Sequence, residues 1–259
     1  MMTSKLQIIS LPVLSDNYIH LIHDPDSGDT AVVDPAEAQP VLACLKTQGW
    51  SLKFILNTHH HYDHIDGNSV LQRETGCQLY ANGADKHRIP GINYLLTENA
   101  TFNLGQHPIQ VISTPGHTSG HIVFYFPDDA LLFCGDTLFG MGCGRLFEGS
   151  AEQLWQSLQK LKTLPRNTQM YCAHEYTLAN GRFAMTVEPS NQALQHRMMQ
   201  VKQLRENQQA TVPSSLADEL ATNPFLREDS PAIQAQLGLI GEDPVVIFAR
   251  VRSLKDQFK

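Results

Sequence analysis

Several features that would place this chain in a special class of protein are missing from its 259 residues. The five cysteines are odd in number and form no C-x-x-C pair, which argues against a disulfide framework and against a zinc knuckle. There is no run of about 18 apolar residues, and the first residues lack the apolar region of a signal peptide. We therefore expect a soluble cytoplasmic protein whose cysteines are small buried hydrophobic side chains.

Positive charge is also scarce. The chain has 19 Lys and Arg against 26 Asp and Glu, a net charge of −7. Nucleic acids are bound through clustered Lys and Arg, so we expect no nucleic-acid partner, and any anionic ligand needs a local basic pocket. A hydrophobic share of 42% with 17% charged residues is that of a globular protein and excludes a disordered one.

The pattern of apolar residues changes along the chain. The first two-thirds alternates strand-like runs, such as 54–56 and 122–126, with helical segments such as 151–161, which indicates an α/β layered domain. The later part has helical periodicity, with helix-start signals at Asn191, at Ser215 and at Asp243 followed by Pro244. We predict a catalytic domain over residues 1–175 and a helical domain over 176–259.

The densest group of chemically active side chains follows the apolar run 54–56. The sequence there reads T-H-H-H-Y-D-H and ends at His64. In extended backbone alternate residues point to one side, so His59, His61 and Asp63 can point together. His64 joins them if the chain turns into a helix at that point.

Three further strand-like runs end in the same kinds of residue. The runs that end near residues 113, 134 and 172 are followed by His117, Asp136 and His174. In open α/β sheets ligands bind at strand termini, so these positions suit a site. Imidazole and carboxylate together suit zinc, iron or manganese.

The other histidines are interpreted differently. An isolated His after a strand is more often a hydrogen-bonded or surface residue than a metal ligand. We keep that interpretation for five residues: His20, His23, His87, His107 and His196. His60 and His121 are interpreted as neighbours of the ligands.

At these motifs the chain resembles a known family. His59, His61, Asp63 and His64 match H-x-H-x-D-H, the signature of the metallo-β-lactamase superfamily. Later segments resemble the glyoxalase II (hydroxyacylglutathione hydrolase) family in order and spacing: T-P-G-H-T ending at Thr118, G-D-T-L-F from Gly135, G-C-G-R-L-F-E-G from Gly142, H-E-Y-T from His174, and R-x-x-K-D from Arg252. The resemblance spans nearly the whole chain.

The resemblance implies a fold and a metal centre. The fold is a four-layer αββα sandwich followed by a helical domain. One ion would be bound by His59, His61 and His117, the other by Asp63, His64 and His174, with Asp136 bridging both together with a water or hydroxide. Two divalent transition-metal ions per chain are expected, zinc first, with iron or manganese as alternatives.

The resemblance also implies an activity. It is hydrolysis of the thioester of S-(2-hydroxyacyl)glutathione, such as S-D-lactoylglutathione, to glutathione and a 2-hydroxy acid, the second step of methylglyoxal detoxification. The bridging hydroxide is the implied nucleophile, and Asp63 and Asp136 are the implied catalytic carboxylates. The expected partner is this small-molecule substrate, with no membrane and no second subunit.

Substrate contacts are expected from two sources. Arg252 and Lys255 are three residues apart on the predicted last helix and can converge on one carboxylate of glutathione. Without the resemblance, cations near a helix C terminus would be interpreted as solvated. By resemblance Arg145, Phe147 and Tyr176 also contact glutathione. Some relatives carry Lys and Tyr at the first two of these positions, so a hydroxyl contact at position 147 is lost, and only backbone contacts there are expected.

Other functions fit parts of the pattern. A persulfide dioxygenase of the same superfamily uses one iron and glutathione persulfide, but its relatives lack the long helical C-terminal segment. A lactonase or β-lactamase does not explain the ending with Arg252 and Lys255, and the acidic balance disfavours a nuclease. A non-catalytic binding module stabilised by zinc would need four ligands in a closed shell, fewer than the seven candidates here.

Overall fold

A computed structural model describes residues 5–258 of the chain. They form two compact units. The first consists of residues up to 113 with 120–135, and the second of residues 114–119 with those from 136 onward. Residues 1–4, on which part of the signal-peptide expectation depends, lie outside the described residues. Among those described, no helix combines the length and apolar composition needed to cross a membrane.

The first unit alternates strands and helices. Its described strands are β1 (Gln7–Val13), β2 (Asn17–His23), β3 (Asp29–Val33), β4 (Ser51–Leu56), β5 (Gln78–Asn82), β6 (Tyr94–Leu96), β7 (Thr101–Leu104), β8 (His107–Ser113), β9 (Ile122–Phe126) and β10 (Leu131–Gly135). Its described helices are α1 (Ala38–Gln48), α2 (Tyr62–Ile65) and α3 (Asn68–Thr75). The apolar runs at 54–56 and 122–126 are therefore strands, as predicted.

Strands β1 to β6 form one sheet in chain order. The first three are antiparallel, and β3 to β6 are parallel. A parallel step needs a crossover connection, which α1 and α3 supply on either side of β4. Val33 at the end of β3 lies opposite Leu56 at the end of β4. The residues that follow these strands, Asp34 and those from Asn57 onward, therefore leave the sheet at the same edge.

Strands β7 to β10 form a second, antiparallel sheet in the first unit. Aromatic rings join its face to the first sheet, since Phe102 stacks on Tyr80 at 4.8 Å and meets the edge of Phe54 at 6.4 Å. Alternation along β4 and β5 turns Ile55 and Leu79 to the opposite face, where they join the aliphatic core under α1 and α3. The first unit thus has successive layers of helices, sheet and sheet.

The second unit is mostly helical. Its described strands are β11 (Leu138–Phe139), β12 (Gly142–Cys143), β13 (Gln169–Cys172) and β14 (Ser214–Ser215), which pair as β11 with β12 and β13 with β14. Its described helices are α4 (Ala151–Lys162), α5 (Thr177–Val187), α6 (Gln192–Glu206), α7 (Leu216–Thr222), α8 (Pro231–Leu237) and α9 (Pro244–Gln257).

Capping residues predicted from the sequence begin several of these helices. Asn191 caps α6 and Ser215 caps α7, each by accepting a bond from a backbone N–H of the first turn. Asp243 caps α9, with Pro244 as its first residue. The helical interpretation of the later part of the chain is confirmed, whereas the division between residues 175 and 176 stays a prediction.

Candidate active site

The loop after β4 carries His59 and His61. Nε2 of His59 and Nδ1 of His61 lie 3.0 Å apart. Two nitrogens bound to one tetrahedral zinc ion at about 2.0–2.1 Å lie roughly 3.4 Å from each other, so the two imidazoles are spaced as ligands of one ion. The hydroxyl of Thr58 is 2.9 Å from the other nitrogen of His59. Such a hydrogen bond fixes the ring, as outer partners do in metal sites.

The chain turns into α2 directly after His61, so Asp63 and His64 lie on a helical turn, the condition set by the sequence pattern. Oδ2 of Asp63 is 3.6 Å from Nε2 of His64. Asn17 donates from Nδ2 to the carboxylate and to the carbonyl of Asp63, both at 3.1 Å. Asn57 donates to the carbonyl of His64 at 2.9 Å. These amide side chains hold the short helix in place.

Asp34 belongs to this group and was missed by the sequence reasoning. It is buried, and its Oδ2 lies 3.1 Å from Nδ1 of His64. Its carboxylate also accepts bonds from the backbone N–H and the hydroxyl of Thr58, at 2.8 and 2.7 Å. Asp34, His59 and His64 have the geometry of a three-ligand group. Because Thr58 already occupies both carboxylate oxygens, we interpret Asp34 as the residue that orients His64.

A sequence signal for Asp34 did exist. The residue follows the apolar strand β3, just as the recognised candidates follow other strands. A lone Asp before Pro35 also fits an ordinary turn, so the sequence alone does not separate the two roles.

His60 and His121 lie beside the candidate ligands. Nδ1 of His60 is 3.7 Å from a carboxylate oxygen of the buried Asp85, and the ring of His121 stacks on that of His59 at 4.8 Å. Both positions agree with their interpretation as neighbours. Four of the histidines interpreted as ordinary have side-chain partners elsewhere: His20 with Ser10, His23 with Thr30, His107 with Asp129, and His196 with Gln200.

In the second unit a carboxylate lies between two imidazoles. Oδ2 of Asp136 is 3.4 Å from Nε2 of His117, and Oδ1 is 3.4 Å from Nε2 of His174. All three side chains are buried. Each carboxylate oxygen thus faces a different histidine, which is the arrangement required of a carboxylate that bridges two metal ions.

The two histidines are oriented from behind. Nδ1 of His117 is 2.9 Å from the carbonyl oxygen of Arg145, which assigns the ring proton to Nδ1 and leaves Nε2 for a metal. The ring of His174 lies flat on Tyr176, with centroids 4.8 Å apart, and meets Phe139 edge-on at 5.9 Å. Tyr176 is therefore in contact with a candidate ligand as well as being a candidate substrate contact.

A cavity of about 460 Å³ in the second unit contains Asp136 together with cationic side chains. Its walls include all five residues expected to contact the substrate: Arg145, Phe147, Tyr176, Arg252 and Lys255. Burial, followed by repulsion from Arg252 and Arg145, lowers the pKa of Lys255. Crowded positive charge of this kind favours an anionic ligand, which would relieve the repulsion.

Arg252 and Lys255 are not equivalent, although their spacing on α9 suggests that they are. Arg252 is buried, and it donates to the carbonyl of Cys143 at 2.8 Å and to the carboxylate of Asp256 at 2.9 Å. Its guanidinium also lies over the ring of Phe225 at 5.0 Å. Arg252 is therefore anchored within the protein and does not lie on a solvated helix flank.

Cys143 and Phe147, which also line the cavity, offer no nucleophile and no side-chain hydroxyl, respectively. Burial raises the pKa of the Cys143 thiol to about 11, so it is neutral near pH 7 and does not act as a nucleophile. Phe147 is 62% exposed, with its ring 5.1 Å from that of His117. Its backbone N–H donates to the carbonyl of His117 at 3.3 Å, and its side chain offers no hydroxyl to a substrate.

Similarity to known proteins covers nearly the whole chain. The family described as Metallo-beta-lactamase superfamily matches residues 15–174, and the family described as Hydroxyacylglutathione hydrolase C-terminus matches residues 175–258. The chain is 56% identical to the hydroxyacylglutathione hydrolase of Methylococcus capsulatus, over 98% of this chain and 99% of that protein. It is 50% identical to the hydroxyacylglutathione hydrolase of Rhodospirillum rubrum, over 98% of this chain and 100% of that protein.

Solved structures also resemble this chain. ETHE1 from Myxococcus xanthus has a TM-score of 0.67 at 24% identity, over 98% of this chain and all 100% of that one. TTHA1623, crystallised in a di-iron-bound form, has a TM-score of 0.59 at 25% identity, over 85% and 100%. At the identity of the first, the likeness concerns the fold alone.

The α/β fold with two sheets and a His/Asp cluster consistent with a binuclear site defines a metallo-β-lactamase superfamily hydrolase. The helical C-terminal region distinguishes it within that superfamily. The chain belongs to the hydroxyacylglutathione hydrolase (glyoxalase II) family. The predicted fold class and the resemblance are thereby confirmed.

Proposed function

We propose that this protein hydrolyses the thioester of S-(2-hydroxyacyl)glutathione, with S-D-lactoylglutathione as a representative substrate. The observation that carries the proposal is the cavity of the second unit, where the Asp136 carboxylate and three cationic side chains share one space. A thioester of an anionic peptide needs both a reactive centre and fixed positive charge. Membership of the family supports the same conclusion.

We propose that seven residues hold two metal ions. His59, His61 and His117 would bind one ion, Asp63, His64 and His174 the other, with Asp136 shared. The donor set fits, since imidazole nitrogen with carboxylate oxygen suits zinc first and iron or manganese next. When bound, two such dications lower the pKa of a shared water towards neutrality and polarise a carbonyl oxygen.

Other residues of the protein orient the groups that take part in this reaction. Asp136 and Asp63 are the proposed catalytic carboxylates. The Arg145 carbonyl holds Nδ1 of His117, and Asp34 holds Nδ1 of His64. Each contact fixes the orientation of an imidazole ring whose Nε2 would bind a metal. The leaving thiolate has a parent pKa of about 8.5 and departs without a strong general acid, so none is required among the cavity residues.

Glutathione binding is assigned to the cationic part of the cavity. Lys255 is the proposed direct partner of a glutathione carboxylate, because its pKa is lowered by burial and then by repulsion from Arg252 and Arg145, and an anion relieves that repulsion. Arg145 adds charge beside it. Tyr176 and Phe147 offer an aromatic wall, while Arg252 contributes charge and anchors the neighbouring backbone.

The test is turnover of S-D-lactoylglutathione by purified protein whose metal content is measured on the same sample. We expect loss of the thioester with stoichiometric release of glutathione and D-lactate, and no oxygen uptake with glutathione persulfide. Metal-loaded protein that leaves the thioester intact but consumes oxygen with the persulfide would instead support a dioxygenase.

Three broader assignments belong to the same proposal. The activity suits the second step of methylglyoxal detoxification, in the cytoplasm, by a monomer. The domain division at residues 175 and 176 separates the proposed metal-binding part from the helical part that completes substrate binding. Sedimentation of the purified protein tests the oligomeric state.

A further inference from the structure

The hairpin formed by β11 and β12, residues 138–143, connects two parts of the candidate site along the chain. It begins two residues after Asp136 and ends two residues before Arg145. Phe139, next to the turn, and Cys143, at the end of the hairpin, line the cavity. Each strand has only two residues, and isolated strand pairs of this length are not stable by themselves. Other groups must therefore fix its conformation.

Four side chains from the helical part of the second unit bind the hairpin backbone. Asn223 donates from Nδ2 to the carbonyls of Phe139 and Gly142 at 3.2 and 3.0 Å. Asn180 donates to the carbonyl of Gly140 at 3.1 Å, and Arg252 to that of Cys143 at 2.8 Å. Glu219 accepts from the N–H of Met141 at 2.8 Å. Side chains thus satisfy backbone groups of this hairpin that a longer sheet would pair.

Met141 is the position where this support is most needed. It is fully buried and has a φ of 53°, a left-handed conformation that residues other than glycine rarely adopt. Its N–H points to Glu219, whose side chain is completely buried. The other carboxylate oxygen of Glu219 accepts from Arg197 and from the Ser214 hydroxyl. The hairpin is therefore tied to a buried ion pair between α6 and α7.

We propose that Glu219 and Asn223 are positioning residues for the glutathione pocket, acting through the hairpin that carries Phe139 and Cys143. Neither side chain is part of the cavity wall. Their hydrogen bonds instead fix the position of the hairpin that forms part of that wall. Glu219 also accepts a hydrogen bond from Asn223 at 3.0 Å, so the two side chains act as one unit. The inference rests on the proposed function, since it assumes that the pocket binds glutathione.

Glu219→Gln is the informative change. The carboxylate accepts bonds on both oxygens, whereas an amide has one oxygen and one N–H₂ group. If the amide oxygen faces Arg197, its N–H₂ group faces the N–H of Met141, and two donors oppose each other. Asn223→Ser removes the bonds to the two carbonyls and keeps a side-chain oxygen able to cap Phe225, which Asn223 caps now.

A matched control lies in the same unit. Glu188 is also buried and pairs with Arg227 at 2.8 Å and with the Ser230 hydroxyl at 2.6 Å. Glu188→Gln therefore disturbs a buried ion pair of the same kind, away from the hairpin. A purely structural role of Glu219 predicts that both variants lose thermal stability and that neither changes ligand binding selectively.

The experiment measures binding of S-methylglutathione, a thioether that cannot be hydrolysed, to metal-loaded protein by calorimetry, together with steady-state kinetics on S-lactoylglutathione. For Glu219→Gln and Asn223→Ser we expect about tenfold weaker binding and a rise in KM larger than the fall in kcat, with unchanged metal content. Glu188→Gln should bind within about twofold of the unaltered protein.

Each result has one meaning. If Glu219→Gln does not fold, Asn223→Ser decides the question. Binding equal to that of the unaltered protein in the folded variants, or an equal loss in Glu188→Gln, overturns the positioning role. If the unaltered protein does not bind S-methylglutathione, the proposed function fails instead.

Discussion

The two units encode their parts of the candidate site in different ways. In the first unit, four candidate ligands lie between His59 and His64, on one loop and the short helix that follows it. In the second, the candidate ligands follow separate strands, and the cavity recruits residues as distant along the chain as Lys255. In a site built on one loop the ligands are neighbours in the chain, although distant residues such as Asn17 and Asp34 hold the loop in place. A site built from distant segments depends on the packing that brings them together.

The largest effect is expected at Asp136, where the second unit has its shared carboxylate. Asp136→Ala removes the oxygens that face His117 and His174. We expect kcat/KM to fall by about 10³-fold or more, equivalent to about 4 kcal/mol, because both proposed metal positions lose a ligand. Steady-state kinetics with elemental analysis checks this. Unchanged metal content and activity would remove Asp136 from the centre.

Asp34→Ala tests the part of the candidate site that lies in the first unit. Loss of a residue that orients a ligand typically costs about 10- to 100-fold in metal affinity or activity. Chelator competition measures the affinity. Asp24→Ala is the matched control, since Asp24 is also buried in the first unit but bonds to Ser27, away from the histidine loop. Equal metal loss in both variants would mean that Asp34 only supports the fold.

Lys255 tests the electrostatics of the distant half. Its pKa is lowered below 10.5, so the cation is present below that reduced pKa and is lost as the pH rises through it. The dissociation constant of S-methylglutathione should therefore rise at alkaline pH, starting below the range of an ordinary lysine. Near pH 7, Lys255→Ala should raise KM about tenfold, with a smaller change in kcat.

Lys255→Arg is the control for this prediction. Arginine keeps its charge over the whole range, so the part of the alkaline weakening that is due to residue 255 should disappear. The titration of glutathione's own amine affects both proteins alike. Identical pH profiles for the unaltered protein and this variant would show that the Lys255 charge is not used in binding.

Phe147→Tyr should give the smallest effect. The change adds a hydroxyl to the ring, and one hydrogen bond contributes about 1 kcal/mol, or roughly fivefold. We expect KM for S-lactoylglutathione to fall by a few-fold at most, with the ring still packed near His117. An increase in KM would indicate that the exposed Phe147 ring itself contacts the substrate.

The same comparison explains what the sequence could predict. His59, His61 and His64 were identifiable because their spacing on one loop carries the signal, and Asp243 and Ser215 because caps act on the next turn. These are interactions between residues close in the chain. The strand runs and the helical later part were predictable for the same reason.

Contacts across long sequence separations were not predictable. Helical periodicity placed Arg252 and Lys255 on one flank but could not tell that Arg252 reaches the carbonyl of Cys143, 109 residues away. The strand pattern likewise could not show that the carboxylate of Asp34 contacts His64, because that contact depends on the register of β3 and β4. Periodicity fixes which face a side chain occupies, and tertiary packing decides what that face meets.

The central claim is that two metal ions, bound by the seven proposed ligands, support thioester hydrolysis. These ligands are His59, His61, Asp63, His64, His117, Asp136 and His174. The most direct test is to titrate metal-free protein with zinc and to follow bound metal and S-lactoylglutathione turnover on the same samples. The account predicts that activity rises to a plateau at about two ions per chain and that Asp136→Ala reaches neither value. Full activity in rigorously metal-free protein, or a plateau at one ion per chain, would contradict it.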